Sequence, residues 1–330
     1  MAHGAGGIAS RRLVEGMIVP LLANPALEAL GDAALLSLGG ARLATTADAF
    51  VVHPLRFPGG SIGELAVNGT VNDLAVSGAR PVALLATLVI EAGLSSAVLQ
   101  AEIAALAEAA RRAGVTVIGG DTKVVEHGKA DGLFISTFGI GELDARLELD
   151  PARVRVGDRV LLSGPIGDHG ITILLARGEL DLEADLRSDT RSLWPFVDAL
   201  ASACPQGVRW MRDPTRGGVA TVLNELARAT SLGIALEEER IPLRAEVRGA
   251  CEILGLDPLH IANEGQAVAL VAAEDAERAL AAWHALPGGE GAVIVGEVTA
   301  GPAKTVLGRT SYGGTRAIDM LVGDPLPRIC

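Results

Sequence analysis

Three aspartates in the first quarter of the chain are placed so that they could hold a divalent cation. Asp32 follows a glycine at a turn, Asp48 lies inside a predicted strand, and Asp73 lies in a predicted helix beside its apolar stripe. A carboxylate inside a strand is costly to bury unless it is paired or bound to a metal, and Mg²⁺ prefers oxygen ligands of this kind. Together the three acids resemble the set of oxygen ligands that Mg²⁺ needs when it binds nucleotide phosphates. Asp32 alone could simply cap a turn and Asp73 could be a solvated helix residue, whereas Asp48 inside a strand is a better signal than Asp32.

Two further stretches offer groups that could bind phosphate. Residues 3–7 read HGAGG, so bare backbone N–H groups could approach an anion there, although a flexible terminus has the same composition. The predicted strand Val115–Ile118 runs into two glycines followed by Asp121, Thr122 and Lys123. An acid, a hydroxyl and a lysine at the end of a strand form a plausible phosphate and metal site. Their spacing differs from that of a Walker A loop.

Loops in the second half carry further polar candidates. Arg212, Asp213 and Arg216 lie at a predicted helix N-terminus, where anions are favoured, although an Asp213–Arg216 pair could merely stabilise the turn. Glu264 lies in a loop just before a predicted buried strand. His169 lies in a glycine-rich turn, where bonding to the backbone is commoner for a histidine than catalysis.

The C-terminal stretch Pro325–Cys330 ends the chain in a thiol. Its two prolines favour an extended, semi-rigid arm that could carry the thiol into a cleft, whereas the alternative is a frayed tail that happens to end in cysteine. Cys204 and Cys251 lie in apolar segments and are predicted to be small core residues. The three cysteines are spaced neither for a disulfide framework nor for a metal site. Only Cys330 is placed for chemistry.

Alternating strands and helices carry these groups, which predicts an α/β fold. In the first half we expect strands at Ala41–Val52, Val82–Glu91, Val115–Ile118 and Gly132–Gly141, a helix from Ile62, and a helix from Ser95 or Ser96 to Gly114 whose inward residues are Leu99, Ile103, Leu106 and Ala110. In the second half we expect strands at Arg159–Ser163, Val208–Met211, Gly233–Glu237, Gln266–Ala272 and Ala292–Val298, and helices at Ser192–Ala203, Glu246–Leu254 and Glu274–Ala285. Residues 150–157 read as a linker. We therefore expect an N-terminal domain at 1–149, a C-terminal domain at 150–322 and a mobile tail at 323–330.

Composition excludes several classes of protein. The 330 residues carry a net charge of −12, which argues against nucleic acid as a partner because such a protein needs a basic surface. Apolar residues make up 49% and the mean hydropathy is +0.37, but no run approaches the roughly 18 apolar residues that cross a bilayer. There is no pattern typical of a secretory signal. We expect a soluble, cytoplasmic protein.

Taken together, these stretches resemble the family of the hydrogenase maturation factor HypE, within the superfamily of aminoimidazole ribonucleotide synthase (PurM) and selenophosphate synthetase. The matching stretches cover nearly the whole chain in the expected order: His3–Gly7, Phe57–Gly60, Asn72–Ala79, Gly120–Val125, Ser163–Gly170, Arg212–Gly218, Ala262–Gly265 and Pro327–Cys330. The C-terminal Pro-Arg-Ile-Cys is the specific element, because other enzymes of the superfamily lack it. One departure is Ala47, where such proteins more often carry threonine, so a hydroxyl contact to the nucleotide could be missing.

The resemblance implies a homodimer that binds ATP and Mg²⁺ in a cleft near its interface. It implies a two-domain PurM-like fold, with the N-terminal sheets of the two subunits forming a barrel-like interface. The implied metal ligands are Asp32, Asp48, Asp73 and Asp213, with Asp32 reaching in from the partner subunit. The implied nucleotide contacts are Gly6, Gly7, Asp48, Asn72, Asp121, Thr122 and Arg216.

The resemblance further implies that an S-carbamoyl group on Cys330 is converted into a thiocyanate. The carbamoyltransferase HypF would supply the carbamoyl group, and the HypC–HypD assembly would take the cyano group for the iron of [NiFe]-hydrogenase. Dehydrating an amide requires that its oxygen be made a leaving group, and phosphorylation by ATP achieves this. Protons must also leave the nitrogen. Lys123 and Glu264 are the candidates, the lysine stabilising charge and the glutamate acting as base, or the reverse.

Two other functions stay open on the sequence. The chain could be another ATP-dependent synthase or kinase of this superfamily that acts on a small molecule and has an incidental tail. It could also be an ATP-gated carrier that holds a cysteine-bound group without doing chemistry.

Overall fold

The chain forms two large sheets, one after the other along the sequence. The computed structural model describes residues 7–330 apart from residues 23, 25–26, 28–29, 179–183, 322, 324–325 and 327. A five-stranded sheet is built from residues 34–143 and a seven-stranded sheet from residues 159–317, which confirms the predicted α/β class. Within the described ranges, no helix has both the length and the apolar character needed to cross a membrane.

The first half builds the five-stranded sheet and packs two long helices against it. Its elements are α1 (Ile8–Leu13), a π-helical turn (Val14–Ile18), α2 (Val19–Leu22), β1 (Ala34–Leu38), β2 (Ala41–Phe50), β3 (Arg56–Phe57), β4 (Gly60–Ser61), α3 (Ile62–Val76), β5 (Ala79–Glu91), α4 (Ser96–Ala113), β6 (Thr116–Val125) and β7 (Leu133–Leu143). The strand order is β1-β2-β7-β5-β6, and β5–β6 is a parallel pair whereas the other pairs are antiparallel. β3 and β4 form a small separate hairpin.

The second half builds the seven-stranded sheet. Its elements are a 3₁₀ turn (Pro151–Arg153), β8 (Arg159–Leu162), α5 (Asp168–Ala176), α6 (Trp194–Ala203), β9 (Val208–Arg212), α7 (Gly218–Thr230), β10 (Gly233–Glu237), a 3₁₀ turn (Glu238–Arg240), α8 (Ala245–Leu254), a 3₁₀ turn (Pro258–His260), β11 (Val268–Val271), a 3₁₀ turn (Ala273–Asp275), α9 (Ala276–His284), β12 (Val293–Thr299), β13 (Val306–Arg309) and β14 (Thr315–Ala317). The strand order is β14-β13-β10-β12-β8-β11-β9. β11 is apolar and buried throughout, as expected for an inner strand.

Helix α3 lies at the centre of the molecule. The Ser61 side chain caps its N-terminus by accepting the N–H of Glu64. The helix is buried on nearly all sides because it packs against strands of its own sheet on one side and α6 of the second half on the other. Three polar side chains, Asn68, Thr70 and Asn72, are therefore buried with it and must find partners inside the protein.

The face of the five-stranded sheet that points away from α3 is apolar and open. Side chains alternate between the two faces of a strand, and Leu36, Leu38, Leu85 and Phe138 all lie on this outer face by their cross-strand pairing. All four are exposed, Leu38 by 73%. Exposed apolar surface of this kind is typical of a contact with another protein.

Three details differ from the sequence-based prediction. β6 does not end at Ile118 but continues to Val125, because pairing with β5 outweighs the weak strand propensity of its two glycines. On α4, Ile103 is exposed, and the inward position is taken by Glu102, whose carboxylate meets Arg56 at 2.7 Å. β13 and β14 at the sheet edge were not predicted, because edge strands this short carry little periodicity.

Candidate active site

Three of the predicted metal ligands meet in one cluster. Carboxylate oxygens of Asp32, Asp73 and Asp213 lie within 4.8 Å of one another. Asp32 comes from the turn before β1, Asp73 from α3 and Asp213 from the end of β9. All three belong to the same chain, so the implied contribution of Asp32 from a partner subunit is not needed.

Asp48 lies beside this cluster on β2, on the face of the sheet that meets α3. Its carboxylate accepts a hydrogen bond from the Thr70 hydroxyl at 3.0 Å, and the Thr46 hydroxyl donates to Asp73 at 2.8 Å. The side chain of Ala47 points to the outer face, in a pocket it shares with Phe138. A hydroxyl at position 47 would therefore not point toward the acid cluster, whereas Thr46 does.

The four acids repel one another, and nearby arginines compensate their charge only in part. Burial, followed by the charges of neighbouring aspartates, raises the pKa of Asp73 and of Asp213 well above the ordinary value. Arg212 pairs with Asp32 at 2.8 Å, which offsets only part of this repulsion. Hard carboxylate oxygens gathered at this spacing are a donor set that suits a divalent cation such as Mg²⁺.

Glu264 is buried next to the acids. Its side chain is 2% exposed, and within the described part of the chain its Oε1 has no hydrogen-bond partner. Burial raises the pKa of Glu264 well above the ordinary value, and the charges of Asp213, Asp189 and Asp48 raise it further. Arg216 lies near enough to lower the pKa values of both Asp48 and Glu264. The predicted residues Asp48, Arg216 and Glu264 therefore share one charged environment.

The Asn72 side chain forms hydrogen bonds that connect α3 to neighbouring loops of the site. Its amide donates to the carbonyls of Arg191 at 2.9 Å and Glu264 at 3.1 Å, and its oxygen accepts the N–H of Leu193 at 2.7 Å. These bonds occupy both amide hydrogens. The side chain thereby joins α3 to the loop that carries Glu264, and the implied contact of Asn72 with a nucleotide stays a prediction.

The C-terminal tail is docked in the protein. The backbone N–H of Val51, just after β2, donates to the Cys330 carbonyl at 3.0 Å. Ile329 and Leu326 are buried, and Cys330 packs against the core cluster that contains Phe50 and Ile261. The frayed tail considered above is therefore not the conformation of Arg328–Cys330 in this structure. The thiol rests near the end of the strand that carries Asp48.

His169 contacts this tail and is bonded to its backbone, as is common for a histidine in a turn. Its Nε2 lies 2.6 Å from the Ile329 carbonyl and its Nδ1 lies 2.8 Å from the Ser188 hydroxyl. Because a carbonyl only accepts, Nε2 carries the hydrogen and Nδ1 accepts from Ser188. Burial lowers the pKa of His169 to about 4, so the ring is neutral at physiological pH. The histidine binds the backbone of the tail.

The predicted phosphate group on β6 lies on the other face of the sheet. Asp121 pairs across the sheet with Thr87, and Asp48 pairs with Thr137, which faces α3. Lys123 and Asp121 form an exposed ion pair at 2.6 Å on the outer face. β6 is three strand spacings from β2, about 14 Å, which exceeds the roughly 6 Å reach of a lysine. The structure therefore does not bring Lys123 to Cys330 within one chain.

Thr122 also lies apart from the cluster, Gly7 borders a pocket that reaches Asp32, and Gly6 is outside the described residues. Thr122 donates its backbone N–H to the Asp121 carboxylate at 2.8 Å. Gly7 packs so closely that a Cβ there would overlap the Leu321 carbonyl. It lines a 730 Å³ pocket that also contains Asp32 and Arg212.

Sequence reasoning missed several groups that complete this site. Asp189 is the clearest of them, since its carboxylate accepts the N–H of Glu264 at 3.0 Å. Thr46 and Thr70, which orient Asp73 and Asp48, were also missed. The only sequence signal for Asp189 is a loop aspartate between two hydroxyl residues, Ser188 and Thr190, which is a common pattern.

Known proteins resemble this chain along its entire length. Residues 30–143 match the N-terminal domain and residues 155–308 the C-terminal domain of the AIR synthase related proteins. The carbamoyl dehydratase HypE of Azotobacter vinelandii is 49% identical over 330 residues, which is 100% of this chain and 96% of the relative. The same enzyme of Escherichia coli strain K12 is 44% identical and covers 100% of this chain and 98% of the relative.

Solved structures resemble this one equally closely. A hydrogenase maturation protein HypE in complex with ATP has a TM-score of 0.83 at 43% identity, covering 99% of this chain and 98% of that one. The structure of a HypE–HypF complex has a TM-score of 0.89 at 41% identity, covering 94% and 99%. With both domain models matched and nearly half of its residues shared with these relatives, the chain belongs to the HypE family within the PurM superfamily of AIR synthase related proteins.

Proposed function

We propose that this protein dehydrates an S-carbamoyl group on its own Cys330 to a thiocyanate, using ATP. The observation that supports this proposal most directly is the docked tail. The backbone N–H of Val51, three residues after Asp48, donates to the Cys330 carbonyl. A Cβ added at Gly69 of α3 would lie 2.8 Å from the Phe50 ring and 3.8 Å from Glu264 Oε2, so both side chains approach this glycine. An incidental tail would not be expected to have the backbone oxygens of its last three residues bound in place just after the strand of Asp48.

The family supports the reaction and its partners. Relatives along the full chain are named carbamoyl dehydratases, one solved relative binds ATP and another is in complex with HypF. We infer that HypF donates the carbamoyl group and that a HypC–HypD assembly accepts the cyano group for the iron of [NiFe]-hydrogenase. We also infer a cytoplasmic location, because a reduced thiol and ATP are both characteristic of that compartment.

The predicted metal ligands and Glu264 have different roles in this reaction. Asp32, Asp48, Asp73 and Asp213 would hold Mg²⁺, and bound MgATP would supply the phosphoryl group that turns the carboxamide oxygen into a leaving group. Overall, the carboxamide loses its oxygen to phosphate and both N–H protons. Glu264, as a buried carboxylate with a free oxygen, accepts a proton from nitrogen. The burial of this cleft excludes water that would otherwise hydrolyse ATP.

The direct test follows the mass of the protein. After carbamoylation by HypF, addition of ATP and Mg²⁺ is expected to remove the mass of one water from the C-terminal peptide. ATP consumption without this mass change would contradict the proposal and favour a carrier or a small-molecule kinase.

We further propose that Lys123 acts across a homodimer. Lys123 and Asp121 lie on the outer sheet face, which also carries exposed Leu36, Leu85 and Phe138. A dimer that buries this face would bring the β6 edge of one subunit toward the cleft of its partner. Lys123 could then stabilise charge at Cys330 of the other subunit. Within its own chain, Lys123 lies too far from Cys330 to do so.

Mixed dimers test this arrangement. Lys123→Ala and Cys330→Ala homodimers should both be inactive. After subunit exchange, a heterodimer places an intact Lys123 opposite an intact Cys330, so mixing equal amounts should restore about a quarter of the parental thiocyanate. If Lys123 acts within its own chain, the mixture stays inactive. Native mass spectrometry of the same mixture, in which the heterodimer has an intermediate mass, controls for the exchange itself.

Removing one charge from the acid cluster should stabilise the metal-free protein. Asp213→Asn relieves repulsion among buried carboxylates, so we expect its melting temperature without Mg²⁺ to equal or exceed the parental value. The parent should gain stability when Mg²⁺ is added, and the variant should gain much less. Thermal denaturation with and without Mg²⁺ measures both effects. An unchanged response to Mg²⁺ in Asp213→Asn would remove this residue from the ligand set.

A further inference from the structure

The last three backbone carbonyls of the chain are each bound by a donor from elsewhere in the protein. Arg177 donates through Nη2 to the Arg328 carbonyl at 2.8 Å, His169 donates to the Ile329 carbonyl at 2.6 Å, and Val51 donates to the Cys330 carbonyl at 3.0 Å. The donors come from both halves of the molecule. A bonding pattern of this kind determines where the thiol lies, whatever group the sulfur carries.

The Arg328 side chain adds a fourth attachment. Its guanidinium pairs with Asp131 at 2.5 Å and donates to the Val51 carbonyl at 3.2 and 3.3 Å. Asp131 belongs to the β6–β7 loop, and Glu91 fixes that loop independently by accepting the N–H groups of Ala130 and Gly132. The loop therefore keeps its shape whether or not the tail is bound.

The attachment also has features that favour release. Arg328 adopts a left-handed backbone with φ of +59°, which costs energy for a residue other than glycine. The Asp131 side chain is 43% exposed, so its ion pair is partly solvated and weak. The docked state is therefore held by several modest contacts.

We propose that Asp131, Arg177 and His169 form a tail dock that sets how long Cys330 stays in the cleft. This inference rests on the proposed function for its purpose, because carbamoylation by another protein requires the thiol to leave the cleft and dehydration requires it to stay. The three are positioning residues. Weakening the dock should have opposite effects on the two half-reactions.

Thiol reactivity tests the dock without ATP, HypF or any assumption about function. In the full-length protein, the alkylation rate of Cys330 by iodoacetamide is followed by peptide mass spectrometry. Asp131→Asn should raise this rate about 2- to 5-fold, as expected for an exposed ion pair. Arg177→Ala should raise it about 10-fold or more, because a charged hydrogen bond is lost. Glu126→Gln removes a charge near the same loop without touching the tail and should match the parent.

Buried Cys204 and Cys251 report on the rest of the fold in the same experiment. Their alkylation should not change. Parental rates at Cys330 in both dock variants would overturn the proposal, and so would a parallel rise at all three cysteines, which indicates general loosening.

The rates of the two half-reactions, carbamoylation and dehydration, distinguish a positioning role from a general structural defect. In Asp131→Asn, carbamoylation by HypF should hold or rise while dehydration of each carbamoylated chain slows. Equal losses in both would contradict a positioning role. If the protein proves not to be a dehydratase, the alkylation rates still decide whether the dock exists.

Discussion

Replacing Cys330 with alanine is expected to abolish thiocyanate formation completely. The substitution removes the thiol of the docked tail, which lies just after the strand that carries Asp48, and with it the atom that would carry the carbamoyl group. Because only the side chain is lost, the carbonyls of residues 328–330 keep their donors and the tail should still dock. The measurement is the mass of the C-terminal peptide after incubation with HypF, ATP and Mg²⁺.

Two controls make this result specific. Cys251→Ala and Cys204→Ala remove buried thiols that lie in the apolar core, and both should keep the reaction provided that they fold. ATP binding by Cys330→Ala, followed by calorimetry, should match the parent. Thiocyanate formation at the parental level by Cys330→Ala would end the proposal that the chain modifies itself.

Replacing Glu264 with glutamine is expected to slow dehydration by about 10²- to 10⁴-fold, the usual contribution of a general base. Glutamine has nearly the same shape as glutamate but takes up no proton from the carboxamide nitrogen. The change also removes a negative charge from a buried site surrounded by Asp213, Asp189 and Asp48. Stability should therefore be kept or increased even though activity falls. Single-turnover rates on carbamoylated protein, together with the melting temperature, measure the two effects.

The same variant separates the two roles left open for Glu264 and Lys123. If Glu264 is the base, the glutamine variant should accept the carbamoyl group from HypF normally and accumulate it. Parental dehydration in this variant would instead assign proton removal to Lys123 or to water. Glu237→Gln, at a partly exposed ion pair with Arg309 on the seven-stranded sheet, is a matched control and should behave as the parent.

The tail dock connects these expectations. Cys330 must reach a second protein for carbamoylation and then an interior site for dehydration. The same six C-terminal residues must allow both positions. Contacts that are numerous but individually modest satisfy both, since each can be broken cheaply while their sum directs the thiol to one place. Tight burial of a single large side chain would have favoured only the docked state.

The amino-acid sequence by itself determined the alternation of strands and helices and the grouping of the aspartates. Periodicity and turn residues act over a few positions, so strands at Ala41–Val52 and Val208–Met211 could be predicted without knowing their partners. The structure has them at Ala41–Phe50 and Val208–Arg212. Acids placed at the ends of such elements converge because the ends of packed elements meet. Asp32, Asp48 and Asp73 were grouped in this way, whereas the resemblance to the HypE family added Asp213 as a metal ligand.

Only the tertiary structure decided which face Lys123 occupies and where the tail rests. Between β5 and β6 the pairing shifts by one residue at Ile118, since Leu84 pairs with Val117 but Leu85 pairs with Gly119. One extra residue reverses the face of every later side chain, and no local pattern in the sequence reveals it. The tail likewise binds donors up to 279 positions away (330 − 51 = 279). Contacts between such distant residues exist only once both sheets have packed.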